Sequence, residues 1–212
     1  MSRCVFELLA NSLEQHLGGR CSSVVVTIHE DSSLSVSDDG PGIPTVLDPR
    51  HNAPFIELAF TTLNYTYKEK LEKFPVIGLA GVGAKCVNAV SEWMQVDTCS
   101  DSGCFRIAFS RGKLSKSLHE LEESACTRGT TIRFKPDREI FGQATFDRNA
   151  LANMLQPLAV LHPGFDVWLV DERPNLKNRP LVWQYCYPNG IADFLKTADL
   201  GHFKIPSDPN GA

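Results

Sequence analysis

Ser35-Val36-Ser37-Asp38-Asp39-Gly40-Pro41-Gly42-Ile43-Pro44 is the stretch on which the fold turns. Leu34 and Val36 alternate with serines up to Asp38, the period of a strand with one covered face. From Asp38 to Pro44 turn residues crowd together, and neither helix nor strand can continue. A carboxylate at a strand end can accept a hydrogen bond from an exocyclic amine such as adenine N6. Gly40 and Gly42 let backbone approach a ligand closely. Taken alone, the same residues describe an ordinary turn, because Asp and Gly dominate turns. Their neighbours on either side decide between the two.

Upstream, residues 24–29 (VVVTIH) read as a strand, and Glu30-Asp31-Ser32-Ser33 as the turn of a hairpin. Further upstream, Cys4, Val5, Leu8, Leu9, Leu13 and Leu17 recur near helical spacing, so residues 3–17 form a helix that Gly18-Gly19 ends. Glu7 and Asn11 lie one turn apart on its polar flank. A carboxylate there can take a proton from water. An asparagine oxygen suits Mg2+, a hard cation. The pair by itself is what any solvated helix face shows.

Downstream, residues 55–63 look helical and 64–77 form a long loop. Gly78-x-x-Gly81-x-Gly83 then opens a helix carrying Val82, Cys86, Val87, Ala89, Val90 and Trp93. Glycines before a helix expose N–H groups to a phosphate, and the helix N-terminus adds positive partial charge. The Gly-Lys-Ser/Thr ending of a Walker loop is missing, and no strand directly precedes these glycines as in a dinucleotide fingerprint. Strands are expected near 94–99, 104–109 and 130–135, the last entered through Gly129-Thr130. Asp147 caps a helix running to about residue 161. Strands at 165–170 and 181–187 and a short helix at 191–196 follow, and a Pro/Gly-bearing tail at 201–212 is read as disordered. Helices interleaved with alternating strands fit a two-layer α/β sandwich, helices on one side of a mixed, mostly antiparallel sheet.

The bulk properties are those of an ordinary globular chain: 212 residues, 42% hydrophobic and 22% charged. No apolar run approaches the roughly 20 residues of a membrane span, and no secretory leader pattern opens the chain. A cytoplasmic location is therefore expected, with no membrane contact. The seven cysteines contain no Cys-x-x-Cys pair, which argues against zinc, and read as buried small hydrophobes. The net charge of -4 assigns any contact with DNA to other domains or subunits.

These features, in this order, resemble the GHKL ATPase superfamily with its Bergerat-type ATP fold. Residues 24–29 and 35–44 are similar to the ATPase domain of bacterial gyrase B and topoisomerase IV B proteins. So are Gly81-Val82-Gly83 with Val87-Asn88-Ala89-Val90-Ser91, Gly129-Thr130-x-Ile132-Arg133-Phe134-x-Pro136 and Gly190-Ile191-x-x-Phe194-Leu195. The likeness runs from about 3 to 198, making residues 1–200 one ATP-binding domain.

The resemblance implies ATP and Mg2+ as ligands. Glu7 takes the place of the general base, Asn11 of the Mg2+ ligand, Asp38 of the adenine-reading carboxylate and Thr130 of its partner. Gly42 and Ile43 take the adenine and ribose wall, and Gly81, Val82 and Gly83 the phosphate loop. Lys68 stands for a phosphate-facing lysine and Arg106 for an arginine at the pocket mouth. It also implies DNA as the ultimate substrate, through other domains, and a homodimer or gyrase A-like partner.

The departures are Ala10 for aspartate, Gln15 and Pro41 for a glutamate–arginine pair, Ala80 for histidine, Asn64-Tyr65-Thr66-Tyr67 in the lid segment, and Ile77 for glycine. The chain also begins without the family's dimerising arm and ends before its transducer domain. Weak turnover in isolation is expected. A divergent non-catalytic nucleotide-binding module, or the ATPase of another GHKL branch such as a chaperone or mismatch-repair protein, are the alternatives.

Overall fold

A computed structural model describes residues 1–63, 65, 82–122, 127–174 and 179–197. The loop expected at 64–77, apart from Tyr65, and the tail at 201–212 lie outside the described residues, so the expected domain limits are not addressed.

Helix α1, Ser2–Leu17, buries Val5, Leu8, Leu9 and Leu13 along one stripe. It ends where the Gly18 N–H donates to Glu14 O and the Gly19 N–H to His16 O, with Gly19 in the left-handed region at φ +67. Strand β1, Ser23–Ile28, alternates as its sequence requires, with Val24, Val26 and Ile28 inward and at most 1% exposed. It pairs antiparallel with β2, Leu34–Asp38, through the expected hairpin. Next come β3 (Leu47–Asp48), β4 (Ala53–Pro54), α2 (Phe55–Thr61) and α3 (Gly83–Ala89), the first two pairing as a small ribbon.

A meander of β5 (Ser91–Ser100), β6 (Gly103–Ser110) and β7 (Lys113–Glu120) follows, after which β8 (Gly129–Pro136) returns between β5 and β2. The chain closes with α4 (Arg138–Phe141), α5 (Arg148–Leu161), β9 (Asp166–Asp171), β10 (Leu181–Tyr185) and α6 (Ile191–Thr197). The eight-stranded sheet has the order β10-β9-β1-β2-β8-β5-β6-β7. Only β1 with β9 is parallel among the described pairs, which needs the crossover that this long connection supplies. The inward faces of the strands and the apolar stripes of α1, α2, α3 and α5 share one core cluster. The helices therefore lie on one face, as expected. The Asp147 carboxylate accepts from the N–H groups of Asn149 and Ala150 and starts α5, also as expected.

Four details differ from the sequence reading. The helix opened by the glycines stops at Ala89, because the Ser91 hydroxyl donates to Val87 O and β5 begins there. Val90 therefore sits at the helix end and Trp93 in the strand. Strand β7 escaped notice because it is an edge strand, almost wholly exposed, and its Lys/Ser-rich run gives no apolar alternation. The short α4, β3 and β4 carry no periodic signal. Finally, the cysteines are not all buried hydrophobes: Cys99 and Cys104 face each other across β5 and β6 and are disulfide-bonded, while Cys86 and Cys186 are exposed.

Gly129 fixes the entry to β8. Its φ is +130, and a Cβ there would collide with the Asp38 carbonyl oxygen. Gly129→Ala should therefore cost roughly 2–3 kcal/mol, from backbone strain and the clash. Asp147→Ala should cost only about 1 kcal/mol, a lost cap. Urea unfolding of the two variants beside the parent chain checks both the magnitudes and their order.

Candidate functional site

The cleft lies where the first half of α1 meets the end of β2 and the start of α3. Asp38 forms its floor. One carboxylate oxygen accepts from the Ser12 hydroxyl at 2.7 Å and the other from the Gly40 N–H at 3.0 Å. Ser12 follows Asn11 on α1, so this bond ties the strand end to the helix that carries Glu7 and Asn11. Burial pushes the Asp38 carboxyl above the ordinary carboxylate value, opposed by hydrogen bonds from Ser12, Gly40 and Thr130. Thr130 is in register with Asp38 on β8, and Thr98 with Thr130 on β5. Thr98 is 2% exposed, Thr130 8%, and both side chains face the helix layer.

Gly42 and Ile43 form the wall beside this floor. Gly42 has φ +79, and a Cβ on it would stand 2.8 Å from Thr98 Oγ1 and 2.9 Å from Cys99 O. Only glycine lets the loop lie flat on β5 here. The Ile43 N–H donates to Thr98 Oγ1 at 2.6 Å, and Thr98 Oγ1 donates back to Ile43 O at 3.2 Å. Asp39 turns away from the cleft. Burial works against its charged form, but bonds from the Ser22 hydroxyl and the Ser22 and Ser23 N–H groups outweigh that, and its carboxyl is held below the ordinary range.

At the other end, Glu7 lies against the first turn of α3. A Cβ on Gly83 would stand 3.0 Å from the Glu7 Cβ and overlap its carboxylate, so glycine permits this approach. Val82 precedes α3 and gives that helix no side-chain cap. The Glu7 carboxylate is 16% exposed and pairs with Arg3 at 2.7 Å. The Arg3 side chain is 74% exposed, a setting in which ion pairs contribute little and exchange readily. Asn11 is exposed, its amide making only a 3.5 Å contact to Glu7 O.

The structure thus brings together Glu7, Asn11, Asp38, Gly42, Ile43, Val82, Gly83 and Thr130. Lys68 and Gly81 lie outside the described residues. Arg106, expected at the pocket mouth, stands instead on β6, on the row of the sheet turned away from the helices. It is in register with Asp97, which faces away from the helix layer because its neighbour Thr98 faces toward it. There Arg106 forms a bidentate ion pair with Asp97, both bonds at 2.7 Å. Sequence reading missed Ser12 and Thr98, whose roles depend on a helix and a strand meeting across the fold. It also missed what the Gln15 and Pro41 departures do: Gln15 accepts from Arg20 Nε at 3.0 Å and its stem lies beside Gly40.

Among the described residues no group of three His, Cys, Asp or Glu could hold a metal on its own. The donor set suits a cation carried in by phosphate oxygens, with the exposed Asn11 amide oxygen as a single protein ligand, as Mg2+ prefers. No helix is long and apolar enough to cross a membrane among the described residues.

Comparison with known proteins gives one consistent result. The family profile described as histidine kinase-, DNA gyrase B-, and HSP90-like ATPase matches residues 1–140. The type 2 topoisomerase B protein of Aquifex aeolicus is 35% identical over 198 residues, 93% of this chain and 24% of that protein. DNA gyrase B of Thermus thermophilus is 38% identical over 205 residues, 96% of this chain and 32% of that protein. The DNA topoisomerase 4 B protein of Escherichia coli is 32% identical over 207 residues, again 96% and 32%. Among solved structures, the 43K ATPase domain of Thermus thermophilus gyrase B, in complex with an aminocoumarin, superposes with a TM-score of 0.77 at 33% identity. The match covers 92% of this chain and 48% of that one. The chain thus spans about a quarter to a third of these curated relatives.

An ionised carboxylate accepts a hydrogen bond from an amine more strongly than a protonated one, and burial brings the loss of the ionised form of Asp38 into a milder acid range. Adenine-nucleotide binding should fall as pH drops, with a midpoint above the roughly 3.9 of an unperturbed aspartate. Asp38→Asn should bind weakly at every pH. Calorimetric titration with a non-hydrolysable ATP analogue across pH 4–7 tests this; a parent chain whose affinity is flat down to pH 4 would remove Asp38 from adenine recognition.

Proposed function

The chain belongs to the histidine kinase-, DNA gyrase B-, and HSP90-like ATPase family, as an ATPase domain with the Bergerat-type fold homologous to the N-terminal module of gyrase B and topoisomerase IV B; from that membership we propose that it is the ATP-binding and hydrolysing subdomain of a gyrase B-like type II DNA topoisomerase. In this reading ATP binding drives dimer closure of a DNA gate and hydrolysis resets it, with DNA held by other domains or a gyrase A-like partner in the cytoplasm. The domain comprises residues 1–200.

The observation that carries the reading is the Asp38 carboxylate, held at the end of β2 by Ser12 and Gly40 beside the Gly42–Ile43 wall. It suits the N6 amine of adenine, with Thr130 completing the base edge. A base placed there directs the phosphates toward the start of α3, where the N–H groups of the Gly81 to Gly83 segment are the acceptors' partners and Lys68 adds a positive charge. Mg2+, held through Asn11 and the phosphate oxygens, supplies charge neutralisation. Phosphoryl transfer to water needs mainly positioning and charge stabilisation. Glu7, close against Gly83, orients the attacking water and accepts its proton. The exposed Arg3 must first release the carboxylate, since the ion pair occupies the oxygen that would hold the water.

The second reading is a non-catalytic nucleotide-binding module. Buried Ala10, where the family has aspartate, favours it, because one carboxylate is missing beside Asn11. Turnover separates the two. Glu7→Ala should lower the hydrolysis rate by about 100-fold or more, the usual share of a general base, while leaving affinity for the ATP analogue unchanged. A steady-state phosphate-release assay on the purified chain with Mg2+ checks it. Equal rates in parent and variant would sink the role of Glu7, and no turnover in either would favour the binding module.

A further inference from the structure

The face of the sheet turned away from the helices has features that the nucleotide cleft does not explain. Across β5, β6 and β7 a concavity of about 270 Å³ is lined by Trp93, Gln95, Arg106, Lys116 and His119, with Ala108 at its base. The registers align these residues: Ala108 faces Lys116, Arg106 faces His119, and on the other side Gln95 faces Arg133 and Trp93 faces Lys135. Four permanent cations therefore lie on neighbouring strands of one face. From β7 to β8 they span three strand spacings, about 14 Å. Two carboxylates lie among them, each bound to one guanidinium: Asp97 to Arg106 and Asp31 to Arg133. Arg106 uses Nε and Nη2 for Asp97, so further donors of that guanidinium remain for an incoming anion. Lys116 and Lys135 form no ion pair among the described residues. The Arg133 guanidinium lies over the Trp93 ring, 5.8 Å from its centre, which keeps this aromatic wall beside the charges.

We propose that this open sheet face binds the phosphate backbone of DNA. The argument is charge complementarity. The chain carries -4 overall, yet this face has an excess of cations, so a polyanion is steered to it and repelled elsewhere. Strand β7 is an exposed edge carrying Lys113 as well as Lys116, so the positive field continues to the rim of the sheet. The choice of DNA over another polyanion rests on the topoisomerase reading above. The contact is sequence-independent, since it is made by cations on a sheet face rather than by an element that enters a groove. Its affinity falls in the weak, salt-sensitive range of about 10⁻⁴–10⁻⁶ M at physiological salt. Such a contact guides DNA toward the parent enzyme without holding it.

The test is fluorescence anisotropy of a labelled 20-base-pair duplex against the purified chain at 50 to 200 mM salt, beside Lys116→Glu/Lys135→Glu. Titration of both proteins with a non-hydrolysable ATP analogue runs in parallel. The parent chain should bind, with affinity falling steeply as salt rises. The variant should lose at least about tenfold at 50 mM salt and about two units of the log–log salt slope, one per phosphate contact. Its affinity for the analogue should not change. No duplex binding by the parent, or equal binding by the variant, would overturn the proposal, as would polyglutamate competing as well as DNA. Analogue binding retained in those cases would leave the ATPase reading intact, whereas loss of analogue binding by the parent chain would strike that reading instead.

Discussion

The hydrogen bond between Ser12 and Asp38 joins the two layers of this domain at the point where its chemistry is expected. Asp38 ends β2, in the middle of the sheet, and Ser12 sits on the buried side of α1. Burying a carboxylate opposes ionisation, and the raised pKa of Asp38 records that cost. The cost is tolerable because each oxygen has a donor of its own. The same placement constrains its neighbours. Gly129 must lack a side chain because it lies against the Asp38 carbonyl, and Gly40 must turn sharply enough to bring its N–H back to the carboxylate. A ligand amine can then find an acceptor already oriented.

A second close approach completes the cleft. Glu7 and Gly83 are far apart in sequence, yet the helices that carry them touch so closely that no Cβ fits on Gly83. This sets the distance between the Glu7 carboxylate and the first turn of α3. The loop between the two ends is pinned by Thr98, which both accepts from and donates to Ile43. Asp38, the Gly42–Ile43 loop and the start of α3 are thus fixed by α1 through Ser12, by β5 through Thr98 and by α1 through Glu7, respectively.

Much of this was legible in the sequence because it is local. The β1–β2 hairpin follows from period-two alternation, α1 from its apolar stripe, and the start of α5 from the Asp147 cap. Asp38, Gly42 and Gly83 stand out as residue types that few other positions require. What was not legible depends on tertiary contact or on a missing periodic signal. Ser12 looks like any serine on a helix until β2 passes beneath it. Thr98 looks like any strand threonine until the Gly42 loop lies across it. Strand β7 exposes nearly every side chain, so its pairing with β6 leaves no apolar trace.

The position of Arg106 shows how the two faces of one strand divide their work. Along β5, β6, β8 and β2, the row Thr98, Phe105, Thr130, Asp38 turns toward the helices. The next row, Asp97, Arg106, Thr131, Ser37, turns away. A shift of one residue moves a side chain from one face to the other, and no resemblance in sequence protects against it. Of the inward row, Thr98 and Thr130 are buried, and Ser12 and Ile43 bond to Asp38 and Thr98. The outward row is bound together by the Asp97–Arg106 pair and the 2.7 Å Ser37–Thr131 contact, and it meets solvent. One set of backbone hydrogen bonds therefore supports two surfaces of different character: one packed against the helices and carrying Asp38, and an open one carrying cations. Because they share strands but no side chains, substitutions on one can leave the other undisturbed.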